Sequence, residues 1–151
     1  MTAQIRRDVK QAVVSILAGV AGITAVYPYK LKSPSTINPY VEVYVGKSEE
    51  TRLTQSAPSG FKQVDITVQV LIYERDISND GSGQLNFDDL LDAIDVALRQ
   101  NIQPSATING GTLLAVALEQ ITTTSMPPTL NGQIIQLLAL KQFDVLVQVT
   151  G

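Results

Sequence analysis

The sequence predicts an α+β domain in which a mostly antiparallel four-stranded sheet carries two main helices, in the order α-β-β-α-β-β. Two segments show apolar residues at the three- and four-residue spacing of an amphipathic helix. Four other segments alternate apolar and polar residues over part or all of their length, as half-buried strands do. The length of 151 residues suits one core, so we assign residues 1–151 to a single domain.

The first helix is predicted near the N-terminus, where an apolar stripe runs along one face and most charged residues lie off it. Thr2 can cap its start, and Gly19 with Gly22 ends it before the extended residues 24–28. Residues 28–39 contain three prolines and are predicted to form a loop. The stripe consists of Ile5, Val9, Ala12, Val13, Ile16, Leu17 and Val20.

The first two strands are predicted at residues 40–45 and 63–73, where alternation is strict. Val41, Val43 and Val45 are expected to face the core in the first, and the even-numbered apolar residues in the second. The two are expected to pair as a hairpin. Their connection, residues 46–62, is polar and longer than any tight turn, and contact with a partner would explain its length.

The second helix is predicted to begin at a cap on Asn86 and to end near residues 100–101, because Pro104 stops any continuation. Its apolar face consists of Phe87, Leu90, Leu91, Ile94 and Leu98.

Two closing strands are predicted at residues 112–124 and 133–150, joined by the turn-rich residues 125–132. Residues 113–118 and 137–140 are apolar at both parities, so both faces of the sheet there must be shielded from water. Two helices do not easily cover both faces, and we therefore expect a partner surface.

Composition excludes several classes of function. The chain has no Cys and no His, which removes disulfides, thiolate metal sites and the commonest general base. We expect no enzyme activity, no cofactor and no metal. A secretory signal and a run of about 18 apolar residues are both missing, so we expect a protein made in the cytoplasm that enters no membrane. The net charge of −3 opposes tight binding to nucleic-acid phosphates.

Two acidic patterns in the sequence resemble cation-binding sites. Residues 76–81 match the first, third, fifth and sixth positions of an EF-hand loop, but Phe87 stands where a bidentate Glu is needed, so a plain strand-to-helix linker is preferred. Asp88, Asp92 and Asp95 fall within about 60° on the second helix. A solvated face with Asp95 paired to Arg99 is preferred there.

Candidate interface residues come from three features. Tyrosines cluster around the proline-rich loop, basic residues lie in the long hairpin connection, and the closing strands carry apolar residues on both faces. Each feature has an ordinary alternative, as edge-of-core residues or a solvated loop. The resulting set is Tyr40, Tyr44, Lys47, Arg52, Lys62, Leu114, Val116, Leu138 and Leu140.

The element order resembles the tail terminator (tail completion) proteins of tailed bacteriophages. The resemblance covers nearly the whole chain and is carried by residues 21–26, the Pro-led strand 39–43, the strand 64–70, the helix 90–98 and the two closing strands. It implies a virion protein that forms a ring, usually a hexamer, at the head-proximal end of the tail tube. Such a ring stops tube polymerisation, joins the head-tail connector or neck, and lets DNA pass without tight binding.

Other classes remain open. The chain is also compatible with another phage neck or connector protein, or with the equivalent part of a phage-derived contractile device. From different classes, an enzyme would need a convergent polar pocket, and a small ligand-binding regulatory domain would be a monomer stabilised by its ligand. Oligomeric state separates these alternatives.

Overall fold

The computed structural model describes residues 5–33, 37–52, 61–77, 80–102, 107–108, 113–118 and 120–150. No helix in this part of the chain is long and apolar enough to cross a membrane. The helices are α1 (Ile5–Ala18) and α2 (Ser82–Asn101). The strands are β1 (Ala25–Tyr27), β2 (Tyr40–Arg52), β3 (Phe61–Asp76), β4 (Thr107–Ile108), β5 (Leu113–Leu118), β6 (Thr122–Ser125), β7 (Thr129–Asn131) and β8 (Ile134–Thr150).

The centre of the sheet is the antiparallel pair β3 and β8, which stay in register from Phe61↔Thr150 to Asp76↔Ile135. β2 pairs with the other edge of β3, and β1 adds to β2 in parallel. The far edge of β8 is paired in succession by β7, β6 and β5, and β4 pairs with β5. A strand of 17 residues is thus covered on one side by one long partner and on the other by three short ones.

The core lies between the two helices and one face of the sheet. Even-numbered residues of β3 from Val64 to Ile72 and odd-numbered residues of β8 from Leu137 to Val147 are buried there, as strict alternation requires. α1 contributes Val9, Val13 and Leu17, and α2 contributes its whole predicted apolar face. All of these residues belong to one cluster. The predicted helices and the predicted inward face of β3 are confirmed.

The sheet itself corrects the four-stranded prediction, because in the part of the chain that the structure describes it is mixed and has eight strands. β1 pairs in parallel with β2, which the short stretch 24–28 gave no means of recognising. The predicted strand 112–124 is split into β5 and β6, with a register shift between Ala115 and Ala117. Neither short strand spans β8, so the observed order of elements is α-β-β-β-α followed by five strands.

The hairpin and the start of α2 also differ from prediction. β2 continues to Arg52 and β3 begins at Phe61, so much of the predicted connection 46–62 is strand. A bulge between Val45 and Ser48 shifts the register there and interrupts the alternation on which the prediction relied. α2 begins at Ser82 rather than after Asn86, because Gly81 supplies the left-handed backbone (φ 78°) that precedes its first turn.

Arg6 fixes this bulge to α1. Its guanidinium donates to the carbonyl oxygens of Gly46 at 2.6 Å and Val45 at 2.9 Å, and to the Ser48 hydroxyl at 3.3 Å. A bulge interrupts ladder pairing, and a planar fork of donors suits carbonyls displaced in this way. The N-terminal helix thereby holds the base of the extended hairpin.

Candidate functional site

The outer face of the sheet, which is turned away from the helices, carries most of the aromatic and apolar candidates. Tyr40, Tyr73 and Leu138 lie side by side across β2, β3 and β8. The next row is Glu42, Leu71 and Leu140. Residues 28–39 connect β1 to the parallel strand β2, and their first part, at Lys30 and Leu31, passes over these rows.

Glu42 fastens this loop to the sheet. Its carboxylate is fully buried and accepts hydrogen bonds from the Leu31 amide at 2.9 Å, the Tyr44 hydroxyl at 2.7 Å and the Lys30 ammonium at 3.3 Å. Burial raises the pKa of Glu42, but these three donors outweigh burial and hold the pKa below its ordinary value of 4.5. Burial, together with the hydrogen bond to Glu42, raises the pKa of Tyr44. We call this group of four residues the Glu42 clasp.

Stacked rings continue the clasp. Tyr40 and Tyr73 lie face to face with centroids 4.7 Å apart and an interplanar angle of 11°. Tyr27 meets Tyr40 edge-on at 6.1 Å, and the Lys30 ammonium lies 5.3 Å from the Tyr73 ring centre. Offset stacking and cation–π contacts of this kind stabilise a loop on a sheet without a large apolar area.

Asn38 fixes the far end of the loop. Its side-chain amide donates to the Arg75 carbonyl at 3.0 Å, and its side-chain oxygen accepts from the Arg75 amide at 2.8 Å. The amide therefore satisfies both backbone groups of Arg75, as a neighbouring strand would. The loop is held at both ends.

A cavity of about 350 Å³ opens between this loop and the connector from β6 to β7. Its walls are mainly apolar and include Leu31, Tyr40, Met126, Pro127 and Leu138, and Glu42 also lines it. The lining also contains three basic residues, Lys30, Lys32 and Arg75. Two acidic residues also line it: Glu42, whose oxygens are engaged by the clasp, and Glu74, which has one buried oxygen without a hydrogen-bond partner. Basic residues therefore outnumber acidic residues in the lining by three to two.

Exposed hydrophobic side chains concentrate at the same end of the sheet. Five of the seven large hydrophobic residues exposed in the described part of the chain lie where β3 ends and where β7, β8 and α2 begin. Ile77, Leu130 and Leu85 are 78%, 74% and 66% exposed. We call this surface the apolar end, and it consists of Ile37, Ile77, Leu85, Met126 and Leu130. Exposed apolar groups clustered in this way are typical of an interaction surface.

The nine sequence-predicted interface residues fall into two groups. Tyr40, Tyr44, Leu138 and Leu140 are together on the outer face, Tyr40 buried and the others half-buried. The loop with the Glu42 clasp thus supplies part of the shielding for which a partner was invoked. The assignment of these four to an interface stays a prediction.

The remaining predicted residues lie toward the hairpin end of the sheet. Lys47 is exposed and forms an ion pair with Glu49 at 2.6 Å. Arg52 and Lys62 are directly opposite each other in the register of β2 and β3. Leu114 is opposite Gln148 on β8, and Val116 falls at the irregularity of β5.

The apolar end was missed from the sequence. Ile37, Ile77 and Met126 are single apolar residues in connecting segments, Leu130 lies in the three-residue strand β7, and Leu85 lies in the first turn of α2, ahead of the apolar face that the sequence predicts. None of them belongs to a repeating apolar pattern, so no periodicity marks them.

The acidic patterns resolve differently from one another. Asp88 and Asp92 are exposed on α2. Asp95 lies 2.8 Å from the ammonium of Lys141, which is only 1% exposed, rather than pairing with Arg99 as expected. The angles at this contact do not meet hydrogen-bond criteria, so it is an ion pair, while Lys141 donates a hydrogen bond to the Thr123 hydroxyl at 2.7 Å.

The EF-hand-like segment is only partly described, since Ser78 and Asn79 lie outside the described residues. Asp76 is buried, and its carboxylate occupies the space that a Cβ on Gly83 would need. Nearby, burial and then the charge of Asp76 raise the pKa of Glu74. Within the described ranges no three His, Cys, Asp or Glu side chains are grouped to hold a metal ion.

Comparisons with known proteins identify the fold. No protein-family model matches the sequence, and no curated protein matches it. Among solved structures, a sheath/tube terminator of the PVC extracellular contractile injection system, in its extended state, aligns with 100% of this chain at 15% identity and a TM-score of 0.54. This chain spans 58% of that protein's length. A second solved structure aligns over 96% of both chains at 15% identity with a TM-score of 0.48, which is too low to carry an argument.

Proposed function

We propose that this chain is a structural terminator of a phage tail or a related contractile device. In this role it forms a ring, a hexamer as the resemblance to tail terminators implies, at the head-proximal end of the tail tube and ends polymerisation there. The observation that carries the proposal is the match of the entire chain to the fold of a sheath/tube terminator. The molecule acts by shape and contact, and no step of bond making or breaking is invoked.

Three features support assembly rather than catalysis. The apolar end exposes five large hydrophobic side chains. Contact with another subunit that covers them would remove apolar surface from water and favour assembly. β2 is braced by Arg6 at Val45 and Gly46, and its exposed residues 46–50 offer a second surface. Glu42 is engaged by three donors and Asp95 by Lys141, so neither of these two carboxylates is available as a general base.

The partners follow from the same role. The ring would meet the tube or sheath protein on one side and the head-tail connector or neck on the other, and DNA would pass through it in the virion. A net charge of −3 per copy disfavours adhesion of that DNA. Another neck or connector protein of the same particle is the nearest alternative within this class.

Oligomeric state tests this proposal in solution. Light scattering after size exclusion at tens of micromolar, followed by negative-stain electron microscopy, should show closed rings of one size. A monodisperse monomer whose melting temperature rises with a small anionic or aromatic ligand would instead favour the alternative of a ligand-binding domain at the outer-face cavity.

A further inference from the structure

One face of α2 is exposed along its length and carries a distinctive mixture of residues. Leu85, Asp88, Asp89, Asp92 and Val96 follow the 3,4 spacing of a single stripe, and all are exposed. Leu85 and Val96 are 66% and 52% exposed, while the opposite side of the helix packs into the core. We call this surface the acidic stripe of α2. It presents apolar side chains beside carboxylates.

The cavity of the outer face has the complementary chemistry. Its walls are mainly apolar, and its three basic residues, Lys30, Lys32 and Arg75, outnumber the acidic Glu42 and Glu74, so basic charge is in excess there although the chain as a whole is acidic. The Lys30 side chain is 63% exposed although it contacts Glu42, so its ammonium remains open to a further carboxylate. A volume of about 350 Å³ admits apolar side chains from a partner.

Most of the stripe and the cavity belong to different layers of one molecule. α2 packs on the core face of the sheet, whereas the cavity lies on the outer face beneath residues 30–33. Two different, complementary patches on opposite layers form a head-to-tail contact between copies, and such a contact closes into a ring when the rotation allows.

We propose that the acidic stripe of α2 in one copy docks on the outer-face cavity of the next copy, with Leu85 entering the apolar cavity and Asp88 and Asp89 facing Lys30 and Lys32. This contact rests on the proposed ring and specifies the surfaces that build it. Charge complementarity fixes the direction of docking, and burial of the leucine supplies the apolar contact.

Cysteine cross-linking tests the contact directly, because the chain has no native Cys. Ser33→Cys lies beside the cavity and Asn86→Cys beside the stripe, both at exposed positions that leave the charges intact. Mixing the two variants with a short bifunctional maleimide should give cross-linked dimers at several times the yield of a matched mixture of Ser33→Cys with Ser15→Cys, which is exposed on α1.

Charge exchange provides the second arm. Lys32→Glu alone and Asp89→Lys alone should each lower the cross-linking yield several-fold, and the chain carrying both changes should recover it. Lys47→Glu, an equal change of charge at the exposed hairpin end, should leave the yield unchanged. Native circular dichroism of each variant verifies that the fold is retained.

The outcomes separate this contact from the proposed function. Rings of the native chain without preferential Ser33–Asn86 cross-linking, or loss of cross-linking that the double exchange does not restore, would overturn the contact while leaving a ring-forming terminator intact. A native chain that forms no ring in solution or on tube ends contradicts the proposed function, whichever residues cross-link.

Discussion

The Glu42 clasp should make a measurable contribution to stability, which Glu42→Gln exposes. A hydrogen bond to a charged group contributes about 1.5–3 kcal/mol, and the fully buried carboxylate accepts three. An amide retains one acceptor oxygen and turns the other position into a donor that faces donors. Lys30 can return to water, so the loss concentrates on the Leu31 amide and the Tyr44 hydroxyl. We expect a decrease of about 2 kcal/mol in the free energy of unfolding.

The assay is urea or thermal unfolding followed by circular dichroism. A loss of about 2 kcal/mol corresponds to about 4–8 °C in melting temperature for a domain of this size. Glu49→Gln is the matched control, since Glu49 is exposed on the same strand and pairs only with the exposed Lys47. This control should leave the melting temperature within error of the native value.

The pH dependence of the stability difference between the native chain and Glu42→Gln is a second, independent test. The pKa of Glu42 is lower in the folded chain than its ordinary value of 4.5, so the ionised carboxylate stabilises the fold above that value. This contribution is lost as pH falls below 4.5 and through the folded pKa. The difference between the native chain and Glu42→Gln should therefore shrink between pH 6 and pH 3. A difference that stays constant over this range, or no loss at pH 7, would refute the role of the clasp.

Three further predictions concern the core, the end of β3 and DNA. Asp95→Ala leaves the buried Lys141 ammonium without its counter-charge and should lower the free energy of unfolding by about 2–3 kcal/mol, measured by urea unfolding. Asp92→Ala, at an exposed position, should change stability little, and equal effects of the two variants would contradict the pairing. Glu74→Gln should raise the melting temperature at pH 7, because the raised pKa of Glu74 means that its ionised form destabilises the fold. This gain should fade as pH falls through that pKa, and a loss of stability at pH 7 would contradict the destabilising role of the ionised carboxylate. Labelled duplex DNA should bind no tighter than micromolar at about 0.15 M salt by fluorescence anisotropy, and sub-micromolar binding would indicate a protein that grips DNA rather than passes it.

Periodicity predicted those parts of the fold whose burial is one-sided. The stripe of α1, the face of α2 and the inward residues of β3 each follow from repeating contact with one core, and the structure confirms them. Short edge elements were not predictable in this way. β1 and β7 have three residues each, and their pairing depends on the neighbouring strands rather than on their own sequence.

Residues 137–140 are apolar on both faces of the strand and so need shielding on both, but the sequence does not show what shields the outer face. Leu138 and Leu140 lie on the face over which the chain's own loop, clasped by Glu42, passes. A buried glutamate in a strand otherwise rich in valine and tyrosine was the local signal of this contact. Asp95 shows how a distant residue can change the role of a side chain. Its position in sequence predicts a solvated face, but it forms an ion pair with the buried Lys141, 46 positions away.

The apolar end and the acidic stripe of α2 share Leu85, so a single exposed leucine links the two surfaces on which assembly is proposed to depend. Leu85→Asp should therefore reduce ring formation without lowering the melting temperature of the isolated chain. Retention of rings in this variant would move the subunit contact elsewhere, with the hairpin end as the next surface to test.

Tube elongation measured in the presence of the protein tests the central claim most directly. Tubes assembled from a tail-tube protein of the same genome would be given further tube subunits, with and without this chain, and their lengths measured by electron microscopy. If the chain is a terminator, elongation stops in proportion to added protein and a ring of density appears at one tube end. Tubes that grow equally long in both samples, with bare ends, would contradict a terminator.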